Sequence, residues 1–133
     1  MWLLARATPS VTLTIPGVSL AAAPIFVAGL LLIAWARVHL ARAGTSWSPI
    51  APDRAATLVT DGPYRWSRNP IYLGLLLLLL GVVVVLRNPV ALIAAAAFVA
   101  YEDRFQIGPE ERALEARFGK EFEQYTARTR RWV

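Results

Sequence analysis

The sequence contains no cysteine and only one histidine, His39. Without cysteine there are no disulfides, no thiolate metal sites and no cysteine nucleophile. A lone histidine argues against a His-based metal centre, so no metal is expected, and no Ser/His/Asp constellation can be assembled. Charge is also scarce, at 17% of residues against about 25% in soluble domains. Internal repeats, low-complexity tails and a glycine-rich dinucleotide fingerprint are all missing. The chain is apolar instead, with 56% hydrophobic residues and a mean hydropathy of +0.46. Its 133 residues suffice for one compact unit, here taken as a single membrane-embedded domain over 1–133.

The net charge is +5 and the pI about 10.4. Nucleic acid is not the expected partner, because the aromatic residues sit in apolar segments and not between basic ones. A membrane protein with cytoplasmic arginines accounts for the same balance. The start, Met1-Trp2-Leu3-Leu4 with one arginine, does not read as a signal peptide, since the apolar run that follows is too long.

No charge occurs between Arg6 and Arg37, a stretch longer than the ~20 residues one helical span needs. Pro9, Pro16 and Pro24 punctuate its beginning. The reading is an irregular or interfacial lead-in over 1–17 and a span over 18–38, with a short re-entrant hairpin as the alternative. A polar loop over 39–69 carries Trp47, Tyr64 and Trp66, which suit the headgroup level. The second span is Pro70 to Leu86. Arg87-Asn88-Pro89 then turns the chain, and Pro89 can open the next helix. The third span, 89–107, has to carry Glu102, Asp103 and Arg104 near the membrane boundary, where ionisable groups need a partner or water; a plain stop-transfer boundary is the other reading.

Gly108-Pro109 is expected to break the chain, with Glu110 and Glu111 in the first turn of a new helix over 109–128. Leu114, Phe118, Phe122 and Tyr125 follow at helical spacing, so that helix is amphipathic. It either lies on the membrane or packs over the ends of the spans, and Gly119 is a candidate kink. The fold class is therefore all-α: a polytopic transmembrane protein with three spans and a C-terminal amphipathic cytoplasmic helix. Arg37, Arg42, Arg54, Arg65 and Arg68 in the loop, and seven further basic residues from Arg104 onward, fall on one side. The positive-inside rule puts that side in the cytoplasm and the N-terminus outside.

Two clusters carry chemistry. One runs from Asp61 to Gly74 and includes Tyr64, Arg68, Asn69, Pro70 and Tyr72. The other has Glu110-Glu111 followed by Leu114, Phe118-Gly119, Tyr125 and Arg131-Trp132. If the tail folds back, the two close one polar pocket at the cytoplasmic surface. Such a pocket suits S-adenosylmethionine: carboxylates and aromatic faces hold its cationic groups, and Arg, Asn or backbone amides meet its carboxylate and adenine. Taken singly, each element has a plainer reading. Arg68-Asn69-Pro70 also reads as an anchor and helix start, Tyr72 as an aromatic-belt residue, Glu110-Glu111 as solvated acids, and Arg131-Trp132 as an interfacial anchor.

The combination is more specific. Gly62-Pro63-Tyr64, Arg68-Asn69-Pro70-x-Tyr72-x-Gly74, two apolar helices, Glu110-Glu111-x-x-Leu114-x-x-x-Phe118-Gly119, Tyr125 and Arg131-Trp132 together resemble the isoprenylcysteine carboxyl methyltransferase and phospholipid methyltransferase superfamily over about residues 40–133. The resemblance implies S-adenosylmethionine as cofactor, bound at Asn69, Tyr72, Glu110 and Glu111, with Arg68, Tyr64 and Gly74 beside them. It implies a substrate-side or catalytic position for Arg131, and an apolar or lipid-linked acceptor. The chain departs from the pattern at Asn69, where eukaryotic carboxyl methyltransferases have His, so an imidazole role is absent. Its N-terminal region is also short, which leaves room for a homodimer. The alternative function is a non-catalytic membrane module that binds lipid or a partner. A soluble Rossmann methyltransferase is excluded by length and by the missing β/α alternation.

Overall fold

The computed structural model describes residues 1–9, 17–45 and 57–133. Every regular element among them is helical. In order they are α1 (Trp2–Ala7), a 3-10 turn (Val18–Ala21), α2 (Ala22–Arg42), a 3-10 turn (Gly62–Arg65), α3 (Pro70–Leu86), a 3-10 turn (Pro89–Ala91), α4 (Leu92–Tyr101), a π-helical segment (Glu102–Ile107), α5 (Gly108–Phe118) and α6 (Lys120–Arg128). The expected Trp47, like Arg54, lies outside the described residues.

Helix α2 is the one described helix long and apolar enough to cross a membrane. It stops where Gly44 takes φ +66 and the Thr45 N–H reaches back to the Leu40 carbonyl at 3.0 Å, a glycine-dependent cap. Helix α3 is more apolar and carries no charge, but has 17 residues, about 26 Å at the α-helical rise. Helix α4 has 10, so three full spans are not shown by helix length.

Helices α2 and α3 cross through two glycines. A Cβ on Gly29 would lie 2.8 Å from the Gly74 carbonyl, and one on Gly74 would lie 2.9 Å from the Gly29 carbonyl and 2.5 Å from Ile33 Cγ1. Small residues at such a crossing let two backbones approach in a membrane bundle. Gly74→Ala is therefore expected to cost about 1–3 kcal/mol through overpacking, read as a lower thermal unfolding midpoint in neutral detergent; an unchanged midpoint would show the crossing to be adjustable.

At the far end of the bundle, the turn after α3 is tied to the N-terminal helix. Asn88 is 1% exposed. Its amide nitrogen donates to the Thr8 hydroxyl at 2.9 Å and to the Thr8 carbonyl at 3.0 Å, while its Oδ1 accepts from the Val90 N–H. The lead-in over 1–17 thus begins with a helix anchored against the 87–91 turn.

Two expectations about the C-terminal half need correction. Gly108-Pro109 does not break the chain: Pro89 to Phe118 runs as one helical path, and Gly108 has φ −59, ψ −50. A proline inside a helix lacks a donor, and its ring crowds the carbonyl four residues back. The chain passes it by widening: the Gly108 N–H bonds the Asp103 carbonyl five residues back, the π pattern. The break comes instead at Gly119, with φ +50 and ψ −119, so the expected helix over 109–128 is two helices. No contact constrains a Cβ there, so the backbone angle itself calls for glycine.

The expected apolar face is used for packing over the bundle. Phe122 and Tyr125 are buried in one cluster with Ala36, Val59, Tyr64 and Ile71, and Leu114 and Phe118 lie against it. Helix α6 thereby caps the ends of α2 and α3 where the polar residues concentrate.

Candidate functional site

The start of α3 enters this cap with a chain of hydrogen-bonding groups. The Arg68 N–H donates to the Arg130 carbonyl at 2.9 Å, and the Ser67 hydroxyl donates to the Arg131 carbonyl at 3.2 Å. The Asn69 side-chain amide donates to the same Arg131 carbonyl at 3.1 Å. The residues after α6 therefore lie along Ser67–Asn69 as a short strap. Tyr125 fastens the helix behind it by donating its hydroxyl to the Tyr64 carbonyl at 2.7 Å.

Glu111 is the centre of the charge. Arg68 Nη2 lies 2.8 Å from one of its oxygens and Arg131 Nη2 2.5 Å from the other. Arg68 also donates to the Thr129 carbonyl at 2.6 Å. Arg131 reaches onward to Asp103 at 3.5 Å, and Asp103 accepts from the Trp132 indole N–H at 3.2 Å. Burial pushes the Glu111 carboxyl up, but hydrogen bonds from Arg131 and Arg68 and their charges outweigh it, so Glu111 is held below the usual carboxylate range. The Arg131 guanidinium is raised in turn, first by its hydrogen bond to Glu111.

Glu110 behaves in the opposite way. Its Oε2 accepts from the Tyr72 hydroxyl at 3.4 Å. Burial is the main cause that pushes its carboxyl up to about 7; the Tyr72 bond opposes and the Glu111 charge adds. Two adjacent carboxyls are thus set apart, one firmly ionised and one that titrates near neutrality. Tyr64, raised first by burial and then by the Glu110 and Tyr125 charges, stays a neutral phenol.

A polar groove of about 370 Å³ opens along this arrangement, lined by Arg68, Glu111, Arg112, Glu115, Phe122 and Arg131 among others. That volume falls within the roughly 300–1,000 Å³ typical of small-molecule sites. Tyr72, Asn69 and Glu110 are not among its walls. Of the residues expected at one site, the structure brings together Tyr64, Arg68, Asn69, Tyr72, Glu110, Glu111 and Arg131. Gly74 is not brought into this cluster; it sits in the α2–α3 crossing, where Ile33 and the Gly29 backbone account for its lack of a side chain. Asp103, Ser67 and Thr129 were not expected. Asp103 has a sequence signal, a carboxylate at a membrane boundary that requires a partner, whereas the strap contacts are made largely by backbone carbonyls, which no residue pattern reveals.

The donor set fits a cationic nucleoside such as S-adenosylmethionine. Glu110 offers a carboxyl bonded by Tyr72, and the neighbouring groove supplies both carboxylates (Glu111, Glu115) and guanidinium groups (Arg68, Arg112, Arg131), which match the cationic and anionic ends of such a ligand.

Comparison with known proteins gives one direction. The phospholipid methyltransferase family model matches residues 18–121. An uncharacterised protein of Haemophilus influenzae is 40% identical over 63 residues, which are 47% of this chain and all of that protein. Protein-S-isoprenylcysteine O-methyltransferase B of Arabidopsis thaliana is 32% identical over 104 residues, covering 78% of this chain and 53% of the relative. The human protein-S-isoprenylcysteine O-methyltransferase is 30% identical over 109 residues, covering 77% of this chain and 38% of the relative. The match thus spans about half or less of these two methyltransferases. No solved structure matches the chain.

Proposed function

The chain belongs to the phospholipid methyltransferase family, and from that premise we propose that it transfers a methyl group from S-adenosylmethionine to an apolar or lipid-linked acceptor. The observation that carries this reading is the meeting of the two motif clusters. The Arg68–Tyr72 turn and the Glu110–Glu111 pair touch through Arg68–Glu111 and Tyr72–Glu110, although 38 or more residues separate them in sequence.

In this reading Glu110 and Tyr72 contact the cofactor directly, with Tyr64 and Asn69 around them. Glu111 and Arg68 hold the strap and shape the groove. Arg131 stands on the acceptor side, fixed by Glu111 and Asp103. The cofactor supplies the electrophilic methyl, and the protein's contribution is position, since an in-line displacement gains most of its rate from a held geometry. The basic loop and tail support a cytoplasmic face for the site and an outside N-terminus. The apolar helices α2 and α3 support passage through the bilayer, and we read the α4 path as a third, shorter pass.

Titration with S-adenosylmethionine in neutral detergent tests this. Glu110→Ala and Tyr72→Phe are each expected to weaken binding about tenfold, the loss of one hydrogen bond to a charged or polar partner. A wild-type protein that takes up no cofactor, or two variants with unaltered affinity, would remove the proposed site. Heat on mixing also separates this function from a non-catalytic lipid- or partner-binding module, which gives none.

A further inference from the structure

A second polar cavity, of about 340 Å³, is walled by Thr60, Asp61, Arg65, Arg128 and Thr129. It shares no wall residue with the groove along Glu111, and none of the residues assigned above to cofactor or acceptor lines it. Its two arginines come from segments remote in sequence. Arg65 ends the 3-10 turn over Gly62–Arg65, and Arg128 ends α6. Arg68 and Arg131 are both neutralised by Glu111, whereas Arg65 and Arg128 form no ion pair among the described residues. Asp61 is the single carboxylate of the wall. Its side chain is 75% exposed, with Oδ2 4.0 Å from His39 Nε2, so water screens much of its charge. The Thr129 hydroxyl donates to the Arg65 carbonyl at 3.4 Å. The Thr60 hydroxyl and the two guanidiniums are left as side-chain donors of the cavity. Two guanidinium forks and a hydroxyl match the oxygens of a phosphate.

The surroundings name the source of that phosphate. Trp66 follows Arg65 in the chain and is 67% exposed. Trp35, 40% exposed near the end of α2, meets it edge to face with ring centroids 5.6 Å apart. Two exposed indoles side by side mark the headgroup level of a bilayer. A basic cavity beside them lies where phospholipid headgroups are concentrated.

We propose that this cavity binds the phosphate of an anionic phospholipid, which clamps the end of α6 to the turn before α3. The lipid is an effector here and not a methyl acceptor. The clamp follows from what the two segments already share. The Thr129 carbonyl accepts from Arg68 at 2.6 Å, and the Tyr125 hydroxyl donates to the Tyr64 carbonyl at 2.7 Å. A phosphate between Arg65 and Arg128 adds a charged link across the same junction. It also replaces the repulsion of two uncompensated guanidiniums by attraction. A choline phospholipid carries the phosphate as well, but its trimethylammonium cancels the net charge that the arginines select.

Native mass spectrometry of the full chain in neutral maltoside micelles tests this, with dioleoylphosphatidylglycerol, dioleoylphosphatidylcholine and soluble glycerol phosphate as probes. Wild type is expected to bind phosphatidylglycerol at least tenfold more tightly than either other probe. Arg65→Gln and Arg128→Gln are each expected to lower that preference about fivefold, the share of one arginine at an anionic headgroup. Arg42→Gln removes an exposed charge from the end of α2, outside the cavity, and is expected to leave the preference intact. Phosphatidylglycerol is also expected to slow carboxypeptidase removal of the residues after 128 about tenfold in wild type and not in Arg65→Gln. Equal binding of the two lipids by wild type, which needs no variant, overturns the proposal. So does a loss in Arg42→Gln as large as in a folded Arg65→Gln. Glycerol phosphate bound as tightly as the lipid overturns the membrane source, and tail digestion indifferent to lipid overturns the clamp. Neither readout involves S-adenosylmethionine, so failure here leaves the proposed methyl transfer standing, and a wild type that takes up no cofactor leaves this site standing.

Discussion

Glu111→Ala is expected to lower stability by about 3 kcal/mol, far more than the ~0–1 kcal/mol of an exposed ion pair. The side chains of Glu111 and Arg68 are only 16% and 14% exposed. Removing the carboxylate leaves the Arg68 guanidinium enclosed with carbonyl acceptors from Thr129 and Thr126 but no counter-charge. Arg131 is 38% exposed, and water compensates part of its loss. The larger consequence falls on the strap, because Arg131 then retains only Asp103 as an ionic anchor. Thermal unfolding in neutral detergent and limited proteolysis after residue 128 measure the two effects. Glu111→Gln keeps one acceptor oxygen but turns an amide toward a guanidinium, so it should fall between wild type and alanine. A Glu111→Ala protein with wild-type unfolding and an equally protected tail would show that the ion cluster contributes nothing.

The acid limit of that cluster has a definite sign. Glu111 is held below its ordinary value of 4.5, so its contribution is fully present above that value and is lost only as pH falls through the lower folded one. Wild type should therefore keep the strap closed throughout the mildly acidic range.

How much of this was legible in the sequence follows from where each signal lies. The boundaries of α3 were readable because Pro70 opens it and Arg87-Asn88-Pro89 closes it, both local chemistry. The Leu114–Tyr125 face was readable because helical spacing survives a break at Gly119: Phe122 and Tyr125 still point into the same cluster. The passage through Gly108-Pro109 was not, since proline usually ends a helix, and the π turn that accommodates it depends on hydrogen bonds five residues apart. The meeting of the Arg68–Tyr72 turn with the Glu110–Glu111 stretch was expected from the motif pattern, but the Arg68–Glu111 pairing and the strap that completes it were not, because Arg130 and Arg131 contribute their carbonyls there as well as a side chain. Gly74 sits within the motif, yet its surroundings are set by Gly29 and Ile33 on another helix, a relation that no local pattern encodes.

Glu110 gives the second large effect, opposite in sign to that of Glu111. Its carboxyl is raised from 4.5 to about 7, chiefly by burial. Below pH 4.5 the folded and unfolded chains both carry the proton, and there is no penalty. Between pH 4.5 and 7 the unfolded chain ionises while the folded one keeps its proton, so stability falls as pH rises. Above 7 the penalty is constant. At about 1.4 kcal/mol per pKa unit, and discounted for the carboxyl's partial access to water, it amounts to on the order of 2 kcal/mol. Glu110→Gln removes that titration, so its stability relative to wild type should climb by roughly this amount from pH 5 to pH 8, a window that leaves Glu111 ionised throughout. Parallel pH profiles for the two proteins would show that Glu110 titrates at its ordinary value. The same titration links to the proposed cofactor. A cationic ligand against Glu110 favours the ionised carboxylate, so binding should tighten as pH rises toward 7 and then level off. Binding at pH 6 should release close to one proton, read from calorimetry in buffers of different ionisation enthalpy, and Glu110→Gln should release none. The residue that weakens the empty fold at neutral pH is then the one that a bound cation repays, which places the cost of burying a carboxyl at the point where a charged ligand relieves it.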